Sequence, residues 1–379
     1  MRTSIGTIIN VMLCLVLFAS CNQRGNSTHN ILKSNTDSIY YAKGFNIEQY
    51  DSCKIINLLN PWKQEQVLQT YILCPKSKPL PNNLPNGTVI RTPLNNTVSF
   101  TSVTCGFFDE LDILSTLIGV AEPQYIDINY VKEGIKKGNI KDVGMASNPN
   151  IETLMLIEPE AIFTNPINDS GVSALNKVNS TIINCFEYME TNPLGQAEWI
   201  RFFGLLFEKE SLADSLFFNT VNNYNKLKAL IPDFENRPTV FAELKYGDFW
   251  YMPGGKSYMA NLFADAGADY ILKDSESSGS TSFSFETVLD KAENADFWLF
   301  KHYNNYDMTY QQLASDYSNY TLFKAYKNKN IYACNTLKRA NYYIELPLHP
   351  DWILEDLIYI FHPELLPNYT TRYYIKLKE

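Results

Sequence analysis

One long helical pattern divides the 379-residue chain into two parts. Between residues 210 and 231, apolar side chains recur every three to five positions, as they do along one face of an α-helix. Pro232 ends the pattern, because proline cannot continue a helix. A helix of about 20 residues is about 30 Å long, which is the width of a small domain. We therefore predict a connecting helix over residues 208–232, with a folded unit on each side.

Strand and helix patterns alternate on both sides of this helix. Before it, we predict strands at residues 98–103, 161–164 and 181–185 and helices at residues 107–117, 151–156, 172–178 and 193–207. After it, we predict strands at residues 239–243, 297–301 and 331–333 and helices at residues 258–266, 285–292 and 352–361. Such alternation is typical of a parallel sheet with helices on both faces. The expected fold class is α/β, with two Rossmann-like lobes at residues 89–207 and 237–379 joined by the long helix.

A strand-rich segment precedes the first lobe. Runs of β-branched and apolar residues occur at 54–59, 67–73 and 88–92, and a proline-rich loop separates the last two. We expect residues 44–88 to extend the N-terminal lobe. The sequence leaves the role of this extension open.

The first 21 residues have the features of an export signal. A positively charged start is followed by an apolar run at residues 8–18, which is too short to span a membrane. Residues 17–21, LFASC, resemble a bacterial lipobox, whose cysteine becomes the lipidated N-terminus. We expect a signal peptide at residues 1–20, lipidation of Cys21 and a lipid-anchored tether at residues 21–43. An ordinary cleaved signal is the alternative.

Composition and charge narrow the possible partners. The chain is 45% hydrophobic and 19% charged, as globular proteins are, and its net charge is −9. It shows no basic patch, so we do not expect nucleic acid as a partner.

The histidines and cysteines do not form a metal-binding motif. The four histidines are scattered without H-x₃-H spacing, and no C-x-x-C occurs. We therefore expect no metal site built from protein side chains and no cofactor. After Cys21 an odd number of cysteines remains, so at least one must stay outside an internal disulfide. The five are Cys53, Cys74, Cys105, Cys185 and Cys334. Cys53 and Cys74 both lie in the strand-rich segment, but the sequence does not determine their pairing.

A Gly-Gly-Lys-Ser stretch at residues 254–257 has only part of a phosphate-binding motif. A Walker A loop needs an earlier glycine at the position that Trp250 occupies, so a nucleotide site is not expected. The simpler interpretation is a tight turn in front of a helix. In that interpretation Ser257 caps the helix and Gly267 follows its end.

Five segments, in the same order and spacing, resemble one known family. Over roughly residues 89–367, the chain is similar to the solute-binding proteins of ABC importers for ferric siderophores, haem and cobalamin. In that family one rigid helix bridges two α/β lobes. The matching segments are TVSFTSVTCGFFDELDILSTLIGV, VGMASNPNIETLMLIEPEAIFT, GGKSYMANLFADAGADYIL, SFSFETVLDKAENADFWLF and DWILEDLIYIFHPELLP.

The resemblance implies a docking role for two glutamates. Glu152 and Glu286 match the family's exposed acids, which pair with arginines on the two membrane subunits of the transporter. Each is predicted in the first turn of a helix, where negative charge is favoured. A structural charge at a helix start is the alternative for either residue alone.

The resemblance also places candidate ligand contacts in a cleft between the lobes. Trp250 and Tyr251 precede the Gly-Gly turn, and Asn165 follows a predicted strand of the first lobe, where ligands of open α/β sheets bind. For Trp250 a role in the core is an equal alternative, because aromatic side chains are mostly buried.

Three further candidates lie between the last family strand and the last helix. They are Arg339, Tyr342 and Tyr343. Arginine would suit a carboxylate or catecholate group, and tyrosine rings would stack on a bulky ligand or hydrogen-bond to it.

The resemblance implies a binding protein and not an enzyme. We expect a lipid-anchored monomer in the periplasm that delivers a metal chelate to ABC transporter membrane subunits. A ferric siderophore is favoured, with cobalamin and haem as the other ligands. A surface lipoprotein that supplies an outer-membrane receptor is the main alternative. A glycosidase would need Glu152 and Glu286 to lie within about 5–10 Å of each other.

Overall fold

A computed structural model describes residues 38–63, 65–166, 173–233, 235–338 and 341–379. The described residues all belong to one compact unit. The predicted signal peptide, Cys21, the first part of the tether and Arg339 lie outside the described residues. No helix in the described part of the chain has the length and apolar composition needed to cross a bilayer.

The N-terminal extension forms a four-stranded sheet of its own. Its strands are β1 (Phe45–Tyr50), β2 (Cys53–Leu59), β3 (Val67–Pro75) and β4 (Thr88–Thr92), in the order β1-β2-β3-β4. The first three strands are antiparallel, and β4 is parallel to β3. A disulfide between Cys53 and Cys74 links β2 to β3. The three other described cysteines, Cys105, Cys185 and Cys334, are buried.

The first lobe is built on a parallel five-stranded sheet. Its elements are β5 (Thr97–Ser99), α1 (Ser102–Glu110), β6 (Leu117–Val120), α2 (Asn129–Lys137), β7 (Lys141–Asp142), β8 (Gly144–Met145), β9 (Asn148–Pro149), α3 (Ile151–Ile157), β10 (Ala161–Thr164), β11 (Thr181–Asn184) and α4 (Pro193–Leu206). The strand order is β11-β10-β5-β6-β7, and all four pairings are parallel. Strands β8 and β9 form a separate small hairpin.

The long helix α5 (Glu210–Lys228) follows and leads into the second lobe. It has 19 residues and ends three residues earlier than the apolar pattern does. Its buried face carries Ala213, Phe217, Val221 and Tyr224, which recur at intervals of three and four residues.

The second lobe repeats the α/β plan and adds a small antiparallel sheet. Its elements are β12 (Thr239–Ala242), β13 (Lys245–Tyr246), β14 (Phe249–Pro253), α6 (Tyr258–Asp265), β15 (Asp269–Tyr270), β16 (Ser280–Phe283), α7 (Phe285–Ala292), β17 (Phe297–His302), α8 (Tyr310–Asp316), α9 (Lys324–Lys327), β18 (Ile331–Asn335), α10 (Tyr342–Glu345), α11 (Pro350–Phe361) and β19 (Ile375–Lys376). The main sheet has the order β15-β12-β17-β18-β19, in which only β19 runs antiparallel. The small sheet has the order β13-β14-β16.

The predicted α/β architecture is confirmed, but the first strand and the first helix of the first lobe were predicted with wrong bounds. The strand expected at residues 98–103 ends at Ser99, and the helix expected at residues 107–117 already begins at Ser102. Thr101 causes the early start, because its hydroxyl caps the helix by accepting a hydrogen bond from the Thr104 N–H at 3.2 Å. Residues 117–120 then form strand β6, which was not predicted.

Two buried carboxylates hold the segment through which the chain enters the fold. The backbone N–H groups of residues 40–42 donate to Glu198 at 2.7 to 2.9 Å, and those of residues 43 and 44 donate to Glu190 at 2.8 and 2.7 Å. Arg201 pairs with Glu198 at 3.0 Å and balances part of the buried charge. The end of the predicted tether is thereby fixed to helix α4.

The extension also covers an edge of the first lobe's sheet. Strand β11 lies at this edge, and the hydroxyl of Tyr71 on β3 accepts a hydrogen bond from the Asn184 N–H at 2.9 Å. The Asn184 side chain donates to Gln69 at 3.1 Å. An unpaired strand edge would otherwise be open to pairing with another chain.

A buried polar pair lies just beyond β10 and β11. The Asn165 amide donates to Glu187 Oε1 at 2.6 Å, while Asn165 Oδ1 and Glu187 Oε2 have no hydrogen-bond partner among the described residues. Burial raises the pKa of Glu187 to about 7, although the hydrogen bond from Asn165 opposes the rise. A protonated Glu187 would donate from Oε2 to Asn165 Oδ1 and satisfy both atoms.

This pair predicts a pH-dependent stability. The pKa of Glu187 is higher in the folded state than its ordinary value of 4.5, so its contribution is present below pH 4.5 and is lost as the pH rises through about 7. Glu187→Gln should therefore be more favourable relative to wild type at pH 8 than at pH 5, by on the order of 3 kcal/mol. Chemical denaturation at both pH values measures the difference. An equal effect of the substitution at pH 5 and pH 8 would show that Glu187 is ionised throughout.

Candidate ligand-binding cleft

The carboxyl ends of strands from both lobes open into one cavity of 710 Å³. Ser102 and Pro123 follow strands β5 and β6 of the first lobe, whereas Tyr303 and Thr336 follow β17 and β18 of the second. Parallel α/β sheets bind ligands at the carboxyl ends of their strands, because the connecting loops there can be shaped freely. The cavity is completed by Gln124, Tyr125, Ile126, Asp127, Lys132, Leu337 and Tyr343.

Three exposed tyrosine rings dominate the lining of this cleft. Tyr125 comes from the first lobe, and Tyr303 and Tyr343 come from the second. Tyrosine presents a flat apolar face for stacking and a hydroxyl for hydrogen bonding. The cleft can therefore hold a bulky ligand that has both apolar and polar surface.

The two charged side chains that line the cleft are paired with each other. Asp127 and Lys132 of the first lobe form an ion pair. In the second lobe, Glu243 and Lys301 form a second pair where β12 and β17 end. Burial disfavours the Lys301 ammonium, but Glu243 outweighs it and raises the pKa of Lys301. Burial raises the pKa of the Tyr343 hydroxyl, and nearby Lys301 opposes that rise, so Tyr343 faces the cleft as a neutral phenol.

The two lobes touch directly beside the cleft. Helix α1 packs against helix α10 at Gly106, where a Cβ atom would lie 2.5 Å from Ile344 Cγ2. Close by, Glu110 of α1 binds His349 at 3.0 Å, and the Asn261 amide donates to the Thr191 carbonyl at 3.0 Å. These contacts leave little freedom for one lobe to move relative to the other.

Two of the predicted cleft residues belong to the core instead. Trp250 is 0% exposed, its indole N–H donates to the Ala242 carbonyl at 3.0 Å, and its ring packs among other aromatic rings. Tyr342 is 1% exposed, and its hydroxyl lies 3.3 Å from that of Tyr374. The prediction that these side chains face the ligand is therefore wrong, because both pack beneath the strand ends.

The other residues predicted to contact the ligand lie in different parts of the structure. Tyr343 lines the cleft. Tyr251 is exposed on the small sheet, and Asn165 binds buried Glu187; neither lines the cavity. Arg339 lies outside the described residues.

Two cleft tyrosines were missed by the sequence reasoning. Tyr303 directly follows β17, so the rule applied to Asn165 would have found it. Tyr125 follows β6, which the sequence pattern did not reveal.

Glu152 and Glu286 occupy matching positions in the two lobes. Each is exposed and is the second residue of its helix, α3 or α7. The helices are capped alike: Asn150 accepts from the Thr153 N–H at 3.0 Å, and Ser284 accepts from the Thr287 N–H at 3.3 Å.

The pKa of Glu286 lies below its ordinary value. The causes are its own backbone N–H, the Ser284 hydroxyl and, to a smaller extent, nearby Lys245. This carboxylate is therefore ionised over a wide pH range. Neither Glu286 nor Glu152 lines the cleft, which argues against a pair of catalytic carboxylates around a bound sugar.

Two relatives with similar sequences are lipoproteins of Methanocaldococcus jannaschii. One, an uncharacterized lipoprotein, is 27% identical over 91% of this chain and 86% of its own length. The second, also an uncharacterized lipoprotein, is 23% identical over 96% of each chain.

Several solved structures share the fold at low sequence identity. A periplasmic haem-binding protein of Vibrio cholerae is 16% identical over 73% of this chain and 99% of its own, with a TM-score of 0.54. An ABC-type Fe³⁺-hydroxamate transport protein of Saccharomonospora viridis is 17% identical over 71% and 94%, with a TM-score of 0.55. A molybdate-binding periplasmic protein of Haemophilus influenzae is 19% identical over 74% and 89%, with a TM-score of 0.58.

The family model for periplasmic binding proteins matches residues 110–336. This match covers more than half of the chain and includes the long helix and the ends of strands β6, β17 and β18 at the cleft. The chain belongs to the periplasmic binding protein family.

Proposed function

We propose that this chain is a lipid-anchored solute-binding protein that captures a metal chelate and delivers it to an ABC importer. The observation that carries the proposal is the 710 Å³ cavity at the carboxyl ends of strands from both lobes. Its location is where open α/β sheets bind ligands, and its volume lies in the range of sites for small organic ligands.

The chemistry of the cleft favours a ferric siderophore. The three tyrosine rings suit the apolar surface of an organic chelate, and their hydroxyls suit its oxygen atoms. The cavity is far larger than a bare oxyanion such as molybdate would fill. Haem and cobalamin are the other two ligands that a cleft of this kind would accept.

Removing the tyrosine rings should weaken ligand binding. We expect Tyr125→Ala, Tyr303→Ala and Tyr343→Ala each to raise the Kd about 10-fold, because each loses a stacking surface. Calorimetry or intrinsic fluorescence with a panel of ferric hydroxamates, ferric catecholates, haem and cobalamin measures the effect. Tyr40→Ala, an exposed tyrosine outside the cleft, is the matched control. Wild-type affinity in all three cleft variants would place the ligand elsewhere.

Delivery to the importer is assigned to Glu152 and Glu286. Their matching positions on the two lobes suit a partner that presents the same basic surface twice. Neither residue touches the cleft, so docking and ligand capture should be separable functions.

Glu→Ala at either position should lower uptake and leave ligand affinity unchanged. The double variant should be nearly inactive in uptake, since breaking one charge pair at an interface costs roughly 2–5 kcal/mol. Uptake in cells and ligand titration of the same purified variants test this expectation, with Glu133→Ala as the exposed control. Normal uptake by the double variant would contradict docking to an importer and favour a lipoprotein that supplies an outer-membrane receptor.

The lipid anchor is assigned to Cys21. The lipobox-like residues before it and the two lipoprotein relatives support this assignment. Cys21→Ser should move the protein from the membrane fraction to the soluble fraction of fractionated cells. A variant that stays with the membrane would disprove lipidation at this residue.

A further inference from the structure

We propose that each docking glutamate is part of an apolar patch, and that the two patches together form the seat for the importer's membrane subunits. The inference rests on the proposed function and deepens it, because it names the chemistry of the partner surface. That surface carries a cation surrounded by apolar side chains and is presented twice.

The patch on the first lobe is formed by Met145, Met155 and Leu156 beside Glu152. Met155 and Leu156 lie three and four residues after Glu152 on helix α3, so they share its face. Leu156 is 81% exposed, and the two methionines are more than half exposed. Met145 belongs to the hairpin that leads into this helix.

The patch on the second lobe is formed by Tyr246, Phe249 and Tyr251. Strand β14 alternates between exposed and buried residues, so Phe249 and Tyr251 share its outer face while Trp250 points into the core. Tyr246 of β13 pairs with Phe249 and therefore lies on the same face. Tyr246 is 81% exposed, and the other two rings are about half exposed.

This aromatic face continues towards Glu286. Tyr251 pairs with Ser282 of β16, and that strand runs directly into Ser284, the cap of helix α7. The same register, continued past the Trp250–Phe283 pair, places Ser284 beside Phe249, and the Ser284 hydroxyl hydrogen-bonds to the Glu286 carboxylate. The outer face of the small sheet and the carboxylate therefore form one surface. This assigns Tyr251 to docking and not to the cleft.

The occupant is identified by charge. A second copy of this chain would place carboxylate against carboxylate across the patches, and the net charge of −9 would add to the repulsion. A cationic partner surface is attracted by the same carboxylates. Apolar side chains around such an ion pair exclude water and strengthen it, which explains why both glutamates have apolar neighbours.

Polar substitutions in the patches test the proposal. We expect Met155→Gln/Leu156→Gln and Tyr246→Thr/Phe249→Thr each to raise the Kd for the importer's membrane subunits about 10-fold. Binding is measured on importer complexes reconstituted in nanodiscs, using full-length protein, alongside uptake in cells. Leu80→Gln, an exposed leucine in the extension, is the matched control. Unchanged affinity for the ferric chelate and an unchanged unfolding midpoint show that cleft and fold are intact.

The outcomes separate this inference from the proposed function. If Glu152→Ala and Glu286→Ala weaken docking but the patch variants bind like wild type, the apolar seat is wrong and the docking function stands. If neither set weakens docking, both proposals fail. A wild-type dimer in solution that the patch variants abolish would make a second copy the occupant and overturn the inference. So would a loss of chelate affinity in the patch variants.

Discussion

The packing of helix α5 between the two lobes is the constraint on which the cleft depends. Its buried face contacts α4 and α11, and Gly204 of α4 allows close approach, because a Cβ there would lie 2.6 Å from that of Ala213. Asp214 binds Arg201 of α4 at 2.7 Å, and Tyr224 binds Asp265 of α6 at 2.7 Å. A rigid helix tied to both lobes holds their strand ends at a set separation, so the ligand meets a largely preformed cavity.

A preformed cleft limits how a partner can recognise the ligand-bound form of the protein. When closure is small, the bound and free forms present almost the same docking face, and recognition depends on fixed groups outside the cleft. Glu152 and Glu286, for which we propose this role, are fixed in this way, because a capping side chain and the first turn of a helix hold each of them in place. Ligand chemistry and partner chemistry are thereby assigned to different residues of one rigid body.

The architecture and the positions of Glu152 and Glu286 at helix starts were predictable from the sequence, whereas most of the cleft was not. Asn150 and Ser284 are local capping signals, so helix starts could be read there without knowing the tertiary structure. Trp250 was wrongly assigned to the cleft, because the sequence of an alternating strand does not show which of its two faces is buried. Its ring packs against Trp298 and Phe323, which lie far along the chain. Tyr125 was missed because it follows strand β6, which was not predicted. Thr101 caps helix α1 earlier than expected, so residues 117–120 form this strand, and apolar periodicity alone does not show such a cap.

A crystal structure of the protein purified from its own cells, with anomalous diffraction used to locate metal, directly tests whether the cleft holds a metal chelate. We expect one chelated metal between the two lobes, with its organic ligand in contact with Tyr125, Tyr303 and Tyr343. A metal bound outside this cleft, or a metal-free solute such as a sugar or an amino acid inside it, would contradict the proposed function.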